Sequence, residues 1–343
     1  MKQNIKLSRS LLRTQGRSLI EIMIALTIGM VILIAISTLF IGNRQSFRSS
    51  DDKARLDEEG RLALNLMAFH VRMSGYGTML TPIEKYTDER NPDSTLMNKV
   101  YPATYTTYTD RRTGQSVDAI RGCAGGFADT AANVATVGCA AGTSSDAFLV
   151  RYVVDQDIIA SGGAVPTDCL GSTVSLSPAI PEEKGRPGAA AYYLIENRFY
   201  VQNNAATGNP ELYCRGNGAT VPGANLVNPG QPIAENVESL KIIYGLAPDA
   251  ITVKNAINAN NRTVTGQSVN QLLTADLITT SDMWSRVISV RICIVVRSAN
   301  DNISTTNQSY RDCNDNQVVA TDRRLRGVFS TTVAIRNRSV GAT

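Results

Sequence analysis

Histidine is nearly missing. The 343-residue chain holds one, His70, so any catalytic triad or zinc set that needs imidazole has a single residue to draw on. None of the six cysteines stands in a C-x-x-C pair, and their spacings are too wide for a zinc knuckle or a thioredoxin-like site. Also absent are the phosphate-binding G-x-x-x-x-G-K-[S/T], the G-x-S-x-G elbow, H-E-x-x-H and a dinucleotide fingerprint after a strand. DCNDNQ at residues 312–317 is rich in oxygen but lacks the order and closing glutamate of a calcium hand, so it reads as a polar turn. His70 reads as a packed or surface side chain. No catalytic residue, metal ligand or cofactor is assigned.

Acidic residues are absent from the first sixteen positions, where Lys2, Lys6, Arg9 and Arg13 stand unopposed. From Arg17 onward, 30 basic side chains face 30 acidic ones. The formal charge of +4 therefore belongs to the lead-in. A nucleic-acid-binding body would more often carry a surplus of Lys and Arg on one face. Proline is absent before Pro82, which leaves a long helix unbroken. Aromatic residues make up 6% and the apolar set 43%, so the bulk reads as a soluble, Ser/Thr/Asn/Gly-rich globular part.

What is present begins with a spine. Ile22 to Ile41 are 20 consecutive residues without a charge, about 30 Å of helix and enough to cross a bilayer. Basic residues precede the run, and Asp51, Asp52, Asp57, Glu58 and Glu59 follow it. That bias places the amino terminus in the cytoplasm and the body across the membrane. A secretory signal would have a shorter apolar core with a small-residue cleavage site behind it. Here the small residue, Gly16, lies in front, so cleavage there would release residues 1–16 and keep the apolar segment. Leu56, Leu62, Leu66, Phe69 and Met73 recur at helical spacing beside Ala63, and Gly75 and Gly77 supply a stop. Residues 19–73 are thus expected to form one helix of roughly 80 Å. It would be apolar all round over 17–42 and amphipathic over 43–76, the second half lying against a globular head.

Beyond Tyr76 the signals are those of strands. Ile288, Val290, Ile292, Ile294 and Val296 alternate with a mixed face in the best period-2 segment of the chain. AFLVRYVV from 147, YYLIENRFY from 192, VESLKIIY from 237 and VFSTTVAI from 328 are further candidates. Residues 81–118, 155–190, 201–234 and 245–280 read as long loops. The fold class expected is α+β, the long helix on an antiparallel β-sheet head over residues 77–343. In an extracytoplasmic body the even cysteine count favours disulfides among Cys123, Cys139, Cys169, Cys214, Cys293 and Cys313. Sequence cannot choose the pairing; Cys123–Cys139 and Cys293–Cys313, neighbours in the chain, are the simplest pairs.

QGRSLIE at residues 15–21, followed by the apolar helix, resembles the class III signal of type IV pilins and type II secretion pseudopilins. The resemblance implies that a prepilin peptidase cuts between Gly16 and Arg17 and methylates the new terminus. It also gives Glu21 the place of the glutamate at the fifth mature position. Arg17 departs from the family, where an apolar residue usually follows the glycine. RLALNLMAFHVRMSGYG from 61, VESLKIIYG from 237, VISVRICIVVRS from 287 and RLRGVFSTTVAIRNR from 324 are similar to PilW-type minor pilins. Their overall plan resembles that of J-type pseudopilins. This implies a pilin-like fold and a structural subunit of a priming or tip complex. Its partners would be other minor pilins, the major pilin, a large tip adhesin, the inner-membrane assembly platform and inner-membrane lipid. The complex promotes pilus assembly for twitching motility, adhesion or DNA uptake, passing from the inner membrane to the fibre. A minor pseudopilin of type II secretion is the nearest rival. A membrane-tethered periplasmic enzyme and a surface-binding module are rivals of another class.

Glu21 has a physical reason to matter. An ionised carboxylate in lipid is costly and usually has a partner. Cleavage at Gly16 would create a positive amine four residues away, about one helical turn, in the same chain or a neighbour.

Overall fold

The computed structural model describes residues 18–76, 107–109, 116–134, 136–142, 145–155, 163–177, 191–248, 251–254, 261–264, 268–304 and 306–338. Helix α1 runs Leu19–Met73. The chain divides into two units, residues 1–51 and 52–343. In the first, the apolar side chains of α1 are exposed, Leu19 at 76% and Leu33 at 66%.

The second unit starts at Asp52 and, among the described residues, holds fifteen strands. They are β1 (Thr107–Thr109), β2 (Ser116–Asp118), β3 (Ile120–Cys123), β4 (Ala147–Asp155), β5 (Tyr192–Asn203), β6 (Pro210–Gly216), β7 (Gln231–Ala234), β8 (Val237–Leu246), β9 (Ile251–Lys254), β10 (Asn261–Val264), β11 (Gln271–Leu273), β12 (Val287–Arg297), β13 (Ser309–Arg311), β14 (Gln317–Val319) and β15 (Arg326–Ala334). A short helix, α2 (Ser281–Ser285), precedes β12 and is capped by the Thr280 hydroxyl, which accepts from the amide of Met283. One sheet has the order β3-β4-β5-β6-β7 and another β11-β8-β12-β15, both antiparallel. The expected α+β plan, a long amino-terminal helix with antiparallel sheets, is the one observed.

One apolar core joins these layers. From α1 it takes Leu56, Ala63, Leu64, Met67, Ala68 and Val71; from the first sheet Phe148, Val150, Phe199 and Leu212; from the second Leu240, Ile242, Val290, Ile292, Ile294 and Val296. Asp146, just before β4, stitches the two sheets, its carboxylate accepting from the amide of Ile242 in β8 at 2.9 Å and from Lys241 Nζ at 2.8 Å. The helix is also clasped by polar contacts. Asn300 Nδ2 donates to Asp52 Oδ1 at 2.8 Å, Asn337 Nδ2 to the Arg72 carbonyl at 2.9 Å, and the Gly75 amide to the Arg151 carbonyl at 2.9 Å. Gly75 ends the helix in the left-handed region, φ 73°; Gly77 lies outside the described residues.

Two expectations need correcting. The buried stripe of α1 is Leu56, Gly60, Ala63, Met67 and Val71, whereas Leu62 and Phe69 are 52% and 54% exposed. Large side chains drew the sequence reading to the wrong flank. Leu56 and Ala63 are buried as expected; at Gly60 the missing side chain lets the helix backbone approach β15, while Leu56, Leu64, Met67 and Val71 fill the core. The intervals 81–118 and 245–280 are not all loop either, for they hold β1 and β2, and β9, β10 and β11; nor is 201–234, which holds β6 and β7. Neither has a strong apolar alternation of its own, and pairing, of β6 with β5 and of β7 with β6, supplies what local propensity does not. In β12 the inner face keeps Val290, Ile292, Ile294 and Val296, but a register shift between Val287 and Ser289 turns Val287 inward in place of Ile288.

Candidate functional site

The sequence points to two places, the amino-terminal helix and the cysteines. In the first unit Glu21 lies in the first turn of α1, its amide donating to the Ser18 carbonyl at 3.0 Å. Leu19–Met73 is long and apolar enough to cross a membrane. Gly16 and Arg17 lie outside the described residues, so the relation between Glu21 and a new terminus is not on view.

The six cysteines form three disulfides, Cys123–Cys139, Cys169–Cys214 and Cys293–Cys313. Each ties an irregular segment to a strand. Cys139 holds the loop after β3, Cys169 holds the approach to β5 against β6, and Cys313 anchors the β13–β14 hairpin on β12. In that hairpin Asp312 Oδ1 accepts from the amides of Asn314 and Asn316, at 2.9 and 2.8 Å, and Asp315 pairs with Arg311 at 3.2 Å. Its carboxylates are thus spent on shaping the turn. Among the described residues no group of three or more His, Cys, Asp or Glu side chains could hold a metal ion.

His70 is packed, 5% exposed, between α1 and β5. Asn197 Nδ2 donates to its Nδ1 at 3.1 Å, which places the ring proton on Nε2. The Asn197 carbonyl oxygen in turn accepts from the amide of Cys169 at 2.8 Å. Burial lowers the His70 pKa to about 4, against a smaller opposing pull from Asp168, so the ring is neutral at neutral pH.

The most organised polar site is one the sequence reading did not single out. Alternate residues of β5 and β6 face away from the helix, and register sets Arg198 beside Arg215, Tyr200 beside Tyr213 and Gln202 beside Glu211. One strand over, Arg151 of β4 lies opposite Glu196. Glu196, fully buried, accepts from Arg151 Nε and from Arg198 Nε, each at 2.5 Å. Burial alone would raise its pKa, but the two guanidinium charges outweigh burial and hold it below the ordinary value.

The arginines then reach outward to loop carbonyls. Arg151 donates to Asp118 and Val134 at 2.8 and 2.7 Å, Arg198 to Thr130 at 2.9 Å, and Arg215 to Leu226 at 2.9 Å and to Thr130 Oγ1 at 3.1 Å. These bonds seat the segments around 118–134 and 226 over one end of the sheet face.

Where that cover ends, a cavity of about 350 Å³ opens between Thr130, Tyr200, Gln202, Tyr213, Arg215, Val227, Pro229 and Gly230. Its wall is the Tyr200–Tyr213 pair, stacked at 5.8 Å and 19°, with Phe127 edge-on to Tyr200. Burial raises the Tyr200 pKa, outweighing its hydrogen bond to Thr130 and the charges of Arg215 and Arg198. The signal for this face was present as the period-2 sets Glu196, Arg198, Tyr200, Gln202 and Glu211, Tyr213, Arg215. Without knowing that β6 pairs with β5, nothing joins the two sets.

Residues 198–337 match the family described as type IV pilus-assembly protein W. The resemblance to PilW-type minor pilins therefore holds over that part of the chain. Among solved structures the chain is similar to a type IV-like pilin from Thermus thermophilus at 10% identity, over 59% of this chain and 82% of that one, with a TM-score of 0.26. No curated protein matches the chain.

Proposed function

We propose that the chain is a structural minor pilin that promotes pilus assembly and is not an enzyme, a reading supported by the match of residues 198–337 to the family described as type IV pilus-assembly protein W. The observation that carries the reading is that match, joined in one chain to an exposed apolar helix with Glu21 in its first turn. The leader, residues 1–16, is removed after Gly16 by a prepilin peptidase, and Arg17 becomes the methylated terminus. Residues 17–42 anchor the subunit in the inner membrane and later enter the fibre core, while residues 43–76 carry the head. Glu21 neutralises the new terminal amine of its own or a neighbouring subunit. Desolvation makes such a pair strong once formed and severe to break.

The head, residues 77–343, lies in the periplasm before assembly and on the pilus afterwards. It meets other minor pilins, the major pilin and a tip adhesin, and supports adhesion, twitching motility or DNA uptake through the fibre. Disulfides suit such a head, since they persist in the periplasm and outside the cell. Mass spectrometry of the mature amino terminus, with and without the prepilin peptidase, tests the processing step. The expected terminus is Arg17, dependent on the peptidase. Another terminus, or peptidase-independent processing, contradicts it.

A further inference from the structure

We propose that the outer edge of β15, from Val328 to Ala334, docks an extended, acidic segment of another protein, which joins the four-stranded sheet as its fifth strand. β15 ends that sheet, whose order is β11-β8-β12-β15. The Ile335 amide donates to the Ile288 carbonyl at 2.8 Å, so the odd-numbered residues of β15 bond to β12. The even-numbered ones, Val328, Ser330, Thr332 and Ala334, turn their N–H and C=O groups outward, and all four residues are exposed.

One residue earlier the fold closes the same edge itself. At Arg326 the side-chain amide of Gln308 takes the place of a partner strand. Its Oε1 accepts from the Arg326 N–H at 2.5 Å and its Nε2 donates to the Arg326 carbonyl at 3.0 Å. Among the described residues nothing does the same for Val328, Ser330, Thr332 and Ala334, a stretch of roughly 20 Å. Natural sheet edges are guarded by short strands, prolines, charges or bulges. The other edges of the two large sheets follow that rule: β3 and β7 have four residues each and β11 three, and β7 adds Pro232 and a register shift. β15 has nine residues paired to β12 without a shift. From Gly327 to Ala334 it holds no proline and no charge.

Charge selects the occupant. Arg291 lies opposite Thr332, Arg336 follows the strand, and the Arg72 carbonyl accepts from Asn337, so exposed arginines stand around the Ala334 end. At the other end Arg297, Arg324 and Arg326 outnumber Glu238 and Asp322. A second copy of β15, laid in either direction, would set arginine against arginine. A strand with a carboxylate at each end meets opposite charge at both. Its middle pairs with Ser330 and Thr332, neighbours that suit threonine and other β-branched residues. Backbone bonds supply the affinity of such an added strand, and its side chains the selectivity.

This site is independent of the pilus reading: the edge can take a strand whether or not the chain enters a fibre. The test is amide hydrogen exchange, read by NMR on the oxidised full chain in detergent micelles, with the blocked peptide DTVTITVE as probe. The lysine-ended KTVTITVK, and DTVTITVE methylated on its central amide nitrogens, are the controls. The probe should slow exchange at the Val328, Ser330, Thr332 and Ala334 amides by at least about tenfold, the scale of one added hydrogen bond. Neither control should do so. The Thr332 amide faces outward, so T332P keeps the ladder to β12 and should weaken binding about tenfold. R291E should weaken DTVTITVE and favour KTVTITVK. Four results would overturn the proposal: no slowing at these amides, equal slowing by either control, binding unchanged in T332P or in R291E, or slowing that grows with protein concentration without peptide, which would give the edge to a second copy.

Discussion

The ring of Phe329 occupies the space a β-carbon on Gly60 would need: Cδ2 and Cε2 lie 2.5 Å from that point. At this crossing α1 presents only backbone to the Phe329 ring of β15. An alanine there would gain about 1 kcal/mol in helix propensity, yet overpacking a closed contact costs about 1–3 kcal/mol. G60A should therefore lower stability in the wild-type background. In F329A, where the ring is gone, the same substitution should be neutral or stabilising. A double-mutant cycle by denaturant unfolding reads the coupling directly; additive effects would show that the ring does not set the approach.

His70 makes stability depend on pH in a stated direction. Its folded pKa is lowered to about 4 from an ordinary 6.5, because burial disfavours the charged ring. Between those values the unfolded chain binds the proton and the folded one does not. The stabilisation is thus complete above pH 6.5 and is lost as pH falls toward 4, by on the order of 3 kcal/mol in all. H70Q keeps an acceptor for Asn197 and removes the titration. The wild-type curve should fall more steeply than that of H70Q across this window. Parallel curves would mean that His70 titrates normally.

Glu196 accepts from both Arg151 and Arg198, 2.5 Å from each Nε. E196Q leaves two guanidinium groups in a buried site without the carboxylate they share. The loss should be about 3–5 kcal/mol, and hydrogen exchange should quicken around 118–134, the segment those arginines hold. Replacing Glu196 by glutamine without effect on either readout would make the triad a passive feature of the packing.

Much of the fold was legible because it rests on local pattern. Twenty uncharged residues in a row mark the helix, and the alternation around Val290–Val296 marks the central strand whatever the rest of the chain does. Five segments picked for alternation correspond to β4, β5, β8, β12 and β15. Leu56 and Ala63 were read correctly, but Gly60 was missed because it counts for little on any hydrophobicity scale, and its value lies in what it does not occupy. The polar face of β5 and β6 was hidden for a different reason. Arg198 and Arg215 are 17 residues apart in sequence and become neighbours only through a pairing that β6 does not announce. Gly16 and Glu21 were read from a short processing signal, and the described residues hold only one of the two.

The central claim is that this chain is a pilus subunit whose retained helix docks through Glu21. The most direct measurement is the amount of head in sheared fibres from cells expressing the wild-type chain or E21A, with the mature terminus of each checked by mass spectrometry. The account predicts wild-type head in the fibre fraction, and E21A processed at Arg17 but depleted from fibres at least about tenfold, the scale of one lost buried charge pair. E21A incorporated as well as wild type, or a wild-type head absent from fibres whose number does not change when the chain is deleted, would contradict it.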